Sequence, residues 1–348
     1  MHPKFMDVLC CPETGERFSL EIREQRVNGL IVTGALRTRS GRSYPIIRGV
    51  PRFVDKQAYA DSFGVEWNRW PRTQFEFENV GRPMEGHTTR MWDRIAHVSP
   101  EEVRDRTIVE FGCGSGRFLD VIRSKGGYAI GIDMSSAVDA ARENFRNDPD
   151  VLIVQGDLLH PPFLPGVMDG GYCIGALHHT PDPAAGVASL LSVVRPDGWL
   201  ACCVYSKDDF YDYPSLQRLR KTHQALKPYV GYLFATAYAY LAAYVAAPML
   251  QKIKEFGGWK FVQYLERNVL VCLRLKDPRW RVLDVFDAIT PAIASTHTPE
   301  EVRGWLEQAG CGDVRTTYWC PTSFAARRAA QIQIEAEAAP AAIKAIAA

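Results

Sequence analysis

A chain of 348 residues exceeds the usual size of one domain, so a core with additions is expected. Its 41 basic and 40 acidic residues leave a formal charge of +1, which removes any global electrostatic drive toward nucleic acid. The nine cysteines (10, 11, 113, 173, 202, 203, 272, 311 and 320) are odd in number and sit mostly in apolar, strand-like contexts; this argues for free thiols, and the amino terminus lacks the long apolar run of a secretory signal, so a cytoplasmic location is expected.

Residues 1–55 read as a small β-rich module. Gly29 to Thr33, Leu36 to Tyr44 and Pro45 to Phe53 suggest short strands joined by turns, after Leu9-Cys10-Cys11-Pro12-Glu13-Thr14-Gly15. The segment resembles the zinc-ribbon family of tRNA-methyltransferase activators, whose Tyr-Pro-Ile-x-x-Gly-Ile-Pro signature stands here as Tyr44 to Pro51 with Val50 in the Ile place. The resemblance implies a module that partners a methyltransferase. Its metal knuckle is broken, with Thr14 in the place of the second thiolate and no cysteine between Arg37 and Ser43, so a zinc-less fold and no metal site are expected.

Residues 56–100 are assigned to a linker and helical lid. The aromatic spacing in Asp61 to Phe75 predicts a helix, packed on the sheet edge or closing over a ligand, with Phe63, Trp67, Trp70 and Gln74 as candidate lid or substrate residues. An indole stacked on a cationic ligand would contribute roughly 0.5–2 kcal/mol.

The core, residues 101–205, opens on Thr107-Ile108-Val109-Glu110-Phe111-Gly112-Cys113-Gly114-Ser115-Gly116, an apolar strand ending in an acid and a glycine turn. Glycine at 112, 114 and 116 permits left-handed backbone and a close main-chain approach to a ligand. The dinucleotide pattern G-x-G-x-x-G fails at Arg117 and Leu119, and no Gly-Lys-Ser/Thr follows for a phosphate loop. After a helix from Arg117 to Lys125, Tyr128 to Asp133 is a second buried strand ending in a carboxylate suited to two ribose hydroxyls. Val151 to Val154 is a third, followed by Asp157 and Leu158; Asp169 to Ile174 is a fourth, leading to Gly175 and His178-His179-Thr180-Pro181-Asp182-Pro183; Ala184 to Arg195 is helical, and Gly198 to Tyr205 is a fifth strand.

This E-x-G-x-G-x-G arrangement resembles the class I S-adenosylmethionine-dependent methyltransferases. The resemblance implies an α/β, Rossmann-like, doubly wound and mostly parallel seven-stranded sheet of order 3-2-1-4-5-7-6. It also implies S-adenosyl-L-methionine as cofactor, held by Glu110, Gly112, Cys113, Gly114, Gly116, Asp133, Met134, Asp157, Leu158 and Gly175, with Asp157 beside the adenine amino group. His178 and His179, at the mouth of strand four, are candidate general bases because imidazole titrates near neutral pH, and His179 is preferred. Tyr205 is a second catalytic candidate, and Tyr211, Asp208, Asp284, Asp287 and His297 are further acceptor contacts.

Residues 206–291 are expected to be a helical insertion that decides the acceptor. With Tyr205 the segment holds nine of the fourteen tyrosines. Pro228 to Gln251 carries no charge and is long enough to cross a membrane. Strands on both sides of it must share one sheet, however, and a return span through Val262 to Leu275 would bury Glu266, Arg267 and Arg274. A lid or dimerisation helix is therefore expected, with contact at a membrane surface as the alternative. Residues 292–328 complete the core, with a helix from Glu300 to Gly310 and a strand from Val314 to Trp319, and 329–348 form an Ala-rich tail.

The expected function is methyl transfer to O, N or C of a hydrophobic, aromatic, lipid-linked or glycan-linked small molecule. No nucleic-acid partner is expected, and self-association is open. The alternatives are an RNA or protein methyltransferase and a non-catalytic binding scaffold.

Overall fold

The computed structural model describes residues 1–54, 58–227, 229–271 and 275–329, so the tail beyond Ala329 and Cys272 lie outside the described residues. The amino-terminal module is a four-stranded antiparallel sheet, β1 (Ser19–Gln25), β2 (Ile31–Arg37), β3 (Ser43–Ile47) and β4 (Val50–Pro51). Sequence reading missed β1, because it is a solvent edge carrying Glu21, Arg23 and Glu24 with little apolar signal. It also misplaced the break between β2 and β3.

The segment ahead of the main sheet forms α1 (Asp61–Arg69) and α2 (His87–Ala96). The core then alternates β5 (Thr107–Phe111), α3 (Arg117–Ser124), β6 (Tyr128–Asp133), α4 (Ala137–Asn144), β7 (Val151–Gln155), β8 (Met168–Ile174), α5 (Pro183–Val193) and β9 (Val194–Cys203). An all-helical insertion follows: α6 (Pro214–Leu226), α7 (Gly231–Leu241), a π turn at Ala242–Ala246, α8 (Ala247–Glu255), α9 (Trp259–Asn268) and α10 (Pro278–Ile289). The chain closes with α11 (Pro299–Ala309), β10 (Cys311–Thr316) and β11 (Ser323–Arg328).

The main sheet runs β10-β11-β9-β8-β5-β6-β7, parallel except for β11. Numbered from β5, this is the order 3-2-1-4-5-7-6, a Rossmann-like doubly wound sheet. β10 begins three residues earlier than its sequence pattern suggests, because Gly310, at φ 101°, ends α11 in a left-handed turn and the strand starts at once.

The module is not a separate body. Cys10 N–H donates to the Pro162 carbonyl at 3.1 Å, and Phe53 N–H to the Gln155 carbonyl at 2.8 Å, so the chain after β4 covers the open edge of β7. Met1, Phe5, Leu9, Ile31 and Ile46 share one buried cluster with Ile130, Ile132 and Val154 of the sheet.

The insertion leaves and rejoins the sheet at one place. Ser206 bridges His297, His297 N–H donates to the Tyr205 carbonyl at 2.9 Å, and Lys207 N–H to the His297 carbonyl at 2.9 Å. Residues Gly231–Glu255 make a helix that is long and apolar enough, by length and composition, to cross a membrane. Both of its flanks return to one sheet, so a single crossing would separate β9 from its hydrogen-bonded neighbour β11.

Candidate active site

Parallel strands deliver their loops to one rim, and here the rim holds a cavity of about 410 Å³ between the carboxyl ends of β5, β6, β8 and β9, helix α1 and helix α10. Its floor is the glycine turn. Gly112 and Gly114 have φ of 76° and 51°. A Cβ at Gly112 would collide with Ala176, and one at Gly114 would lie 2.8 Å from Trp67 Nε1, so α1 is packed directly on the turn. Asp133, at the tip of β6, accepts the Gly114 N–H at 2.9 Å with one oxygen, and with the other the Ser135 N–H and hydroxyl at 2.8 and 2.7 Å. Burial nevertheless raises its pKa. Glu110 accepts the Tyr172 hydroxyl at 3.2 Å, and burial pushes it well above the carboxylate range.

The lining takes in Glu110, Gly112, Cys113, Gly114, Asp133, Met134, Leu158 and Gly175 from the sequence-derived cofactor set, with Phe63, Trp67, Gln74, His178, His179, Tyr205 and Tyr211. Gly175, at φ 82°, has no heavy atom within 4 Å of a Cβ position and faces open space. Five sequence candidates lie elsewhere, one of them Asp208, whose N–H donates to Asp212 Oδ2 at 2.7 Å in its own loop. Gly116 starts α3, and a Cβ there would lie 2.7 Å from Phe145. Asp157 turns back on its own loop, accepting the Leu159 N–H at 2.9 Å with His160 Nδ1 at 3.2 Å. Trp70 packs edge-on against Phe286, 5.1 Å between centroids, in the core of the insertion. His297 holds the closure of the insertion, with Nε2 2.7 Å from Ser295 Oγ and its ring against Trp305.

The two adjacent histidines have different surroundings. His179 Nδ1 is 2.7 Å from the Ile293 carbonyl, which can only accept, so Nδ1 carries the proton and Nε2 a lone pair. Nε2 is buried with no partner among the described residues, and desolvation pushes the ring down to about 4, so it stays neutral at ordinary pH. His178 is fully buried with neither nitrogen bonded among the described residues, its ring 3.6 Å from that of Tyr205, which stacks in turn on Tyr211 at 3.3 Å. Burial holds His178 well below the usual histidine range.

Sequence reading did not single out Glu66 and Arg117. Glu66 is 0% exposed, and both carboxyl oxygens lack a hydrogen-bond partner among the described residues. Asp284 and Asp287 from α10 join it in the lining. Burial and Asp287 push Asp284 up to about 7, and burial pushes Asp287 up to about 6, although Asp287 accepts the Tyr205 hydroxyl at 3.0 Å. Arg117 supplies positive charge to the same end. Its signal was present in the sequence as the residue that breaks the dinucleotide fingerprint at the first position of a helix. Glu66 was hidden as one polar residue in an aromatic helix.

The sheet order and the glycine turn with its strand-tip acids match the arrangement expected of a class I methyltransferase core, a fold whose cofactor is S-adenosylmethionine. Residues 109–202 match the family model described as "Methyltransferase domain". Over 145 residues the chain is 28% identical to a ubiquinone biosynthesis O-methyltransferase of Albidiferax ferrireducens, covering 38% of this chain and 52% of that protein. Over 136 residues it is 29% identical to a tRNA U34 carboxymethyltransferase of Pseudoalteromonas translucida, covering 38% of this chain and 41% of that one. An S-adenosylmethionine dependent methyltransferase structure from Mesorhizobium loti aligns over 39% of this chain and 58% of its own, at 23% identity and a TM-score of 0.32. The chain spans about half the length of the curated relatives it matches.

Proposed function

We infer that this chain is an S-adenosylmethionine-dependent methyltransferase that methylates O, N or C of a small molecule with hydrophobic, aromatic, lipid-linked or glycan-linked character. The observation that carries the reading is the unpartnered, buried lone pair of His179 Nε2 in the same cavity as the glycine turn and the Asp133 carboxylate.

When bound, S-adenosylmethionine supplies an electrophilic methyl on a sulfonium. Asp133 is fixed by three donors in an orientation that suits ribose hydroxyls, while Gly175 leaves main chain open beside it. His179 Nε2 would take the acceptor's proton, leaving the acceptor atom's own lone pair free to receive the methyl group that the bound cofactor would supply. Alignment is the main contribution, and general-base help adds roughly 10²–10⁴-fold. Gln74 Oε1 and His179 Nε2 are buried acceptors without partners among the described residues, which suits an acceptor that brings N–H or O–H donors; the Glu66 carboxyl, also without a partner there and pushed well above the carboxylate range by burial, can offer an O–H as well as accept. Phe63, Tyr211 and Trp280 supply apolar walls.

The test is calorimetric binding of adenosylmethionine and adenosylhomocysteine, repeated with Asp133→Ala. Micromolar binding lost in the variant supports the reading; no binding by the intact protein removes it.

A second reading, methyl transfer to RNA, is favoured by one observation. A cavity of about 570 Å³ between the module, α1 and α4 is lined by Arg26, Arg48, Arg72, Arg142 and Arg146. Retention of unmodified tRNA by the intact chain, lost on Arg48→Glu, would move this reading to the front.

A further inference from the structure

The helix running through α7, the π turn and α8 reverses the pattern of a water-soluble amphipathic helix. Its inward side is small: Ala235, Ala239, Ala242 and Ala243 are buried in one cluster with Val282, Val285, Phe286 and Ile289 of α10. Its outward side is large and apolar. Leu233, Tyr240, Leu241, Tyr244, Val245 and Met249 are each 46–68% exposed, at spacings of 7, 8, 11, 12 and 16 from the first. Those spacings make one stripe about 24 Å long at the rise of an α-helix. Helix α9 packs on α8 and adds half-exposed Phe261 and Tyr264, and Phe256 in the turn between them is 92% exposed.

Soluble monomers rarely leave a continuous apolar face of this kind uncovered. Two occupants are possible in principle, a second copy of the chain or a lipid surface. Charge separates them. Lys252, Lys260 and Arg267 are exposed at the α8–α9 end of the stripe, against one exposed acid, Glu255, so the end carries an excess of positive charge. A two-fold pairing of the stripe with itself in parallel register would bring these cations together, and an antiparallel one would leave them without an opposite charge to meet. An anionic headgroup layer would instead meet them with opposite charge, while tyrosines suit the layer between acyl chains and water.

We propose that the outward face of α7, α8 and α9 docks in the plane of an anionic membrane surface, without crossing it. The geometry connects this face to the cavity. One side of α10 (Val282, Val285, Phe286, Ile289) packs under the docking helix, and the other (Trp280, Leu283, Asp284, Asp287) lines the cavity. A single helix layer thus separates the two, an arrangement suited to an acceptor carried by a lipid.

The experiment is co-sedimentation of the intact chain with vesicles of phosphatidylcholine alone and of phosphatidylcholine with about one-third phosphatidylglycerol. The expected result is half-binding to the anionic vesicles at about tenfold less lipid, weakened by salt and by Lys252→Glu with Lys260→Glu. Leu241→Ser with Phe256→Ser should abolish sedimentation while leaving the melting temperature and the gel-filtration volume unchanged. The proposal is overturned by absence of sedimentation with either vesicle, or by sedimentation that both double variants leave intact. It is equally overturned by a dimer that the serine variant disperses without any vesicle binding, which would make a second copy the occupant. Adenosylhomocysteine affinity, measured on the same samples, reports separately on the methyltransferase reading.

Discussion

At the scale of single residues, the cavity divides into groups that orient and groups left waiting for a partner. His179→Ala should lower turnover by roughly 10²–10³-fold and leave adenosylhomocysteine affinity within a few-fold, because Nε2 is placed to act on the acceptor. Asp133→Ala should lower that affinity strongly and Asp157→Ala only weakly, since Asp157 is engaged within its own turn; calorimetry on the pair checks the distinction. Asp284 carries a pH signature. Its carboxyl holds a proton up to about pH 7 when folded, against an ordinary value of 3.8. Between those values the folded state binds the additional proton, so stability falls as pH rises through the window. Asp284→Asn removes the titration and should be more stable than the parent at pH 8, by on the order of 4 kcal/mol, with the difference shrinking toward pH 4. Cys320 lies 3.3 Å from Cys203, and the hydrogen bond between the two sulfurs pulls the Cys320 pKa down to about 6. Alkylation of Cys320 should therefore rise through pH 6 rather than pH 9, and slow when adenosylhomocysteine fills the cavity it lines. Mass spectrometry of alkylated peptides across pH reads both effects.

At the scale of elements, α1 is tied to the insertion as well as to the glycine turn. Asp61 accepts from Lys227 Nζ at 3.0 Å and the Tyr232 hydroxyl at 2.8 Å, and Arg69 donates to Thr236 Oγ1 at 2.7 Å. Asp61→Ala should loosen α1, raising hydrogen exchange over residues 61–69 and weakening cofactor binding several-fold with a smaller effect on turnover. The same elements mark where sequence was legible. Tyr128 to Asp133 and its neighbours read correctly because strands covered on both faces are unbroken apolar runs stopped by glycine or acid. Edge strand β1 escaped because its pattern is that of a solvated surface. The grouping of Glu66, Arg117, Asp284 and Asp287 could not be read at all, since α1, α3 and α10 meet only through tertiary packing. Trp70 and His297 matched their neighbourhood in sequence and face the packing of the insertion.

At the scale of the whole molecule, module and core are one hydrophobic unit. Removing residues 1–54 would uncover Phe163 and the edge of β7, so the truncated chain should be insoluble, and the intact chain should melt in one calorimetric transition. Separate transitions for module and core would contradict the shared cluster.

The clasp at Tyr205, Lys207 and His297 has one more consequence. Because the excursion begins and ends at a single gate, its helices can be exchanged as a cassette, by joining residue 206 to 297 around another insert, without altering any strand that holds the glycine turn. The donor half of the chemistry would be inherited unchanged, and a new acceptor, or a new place in the cell to meet it, would arrive with the graft.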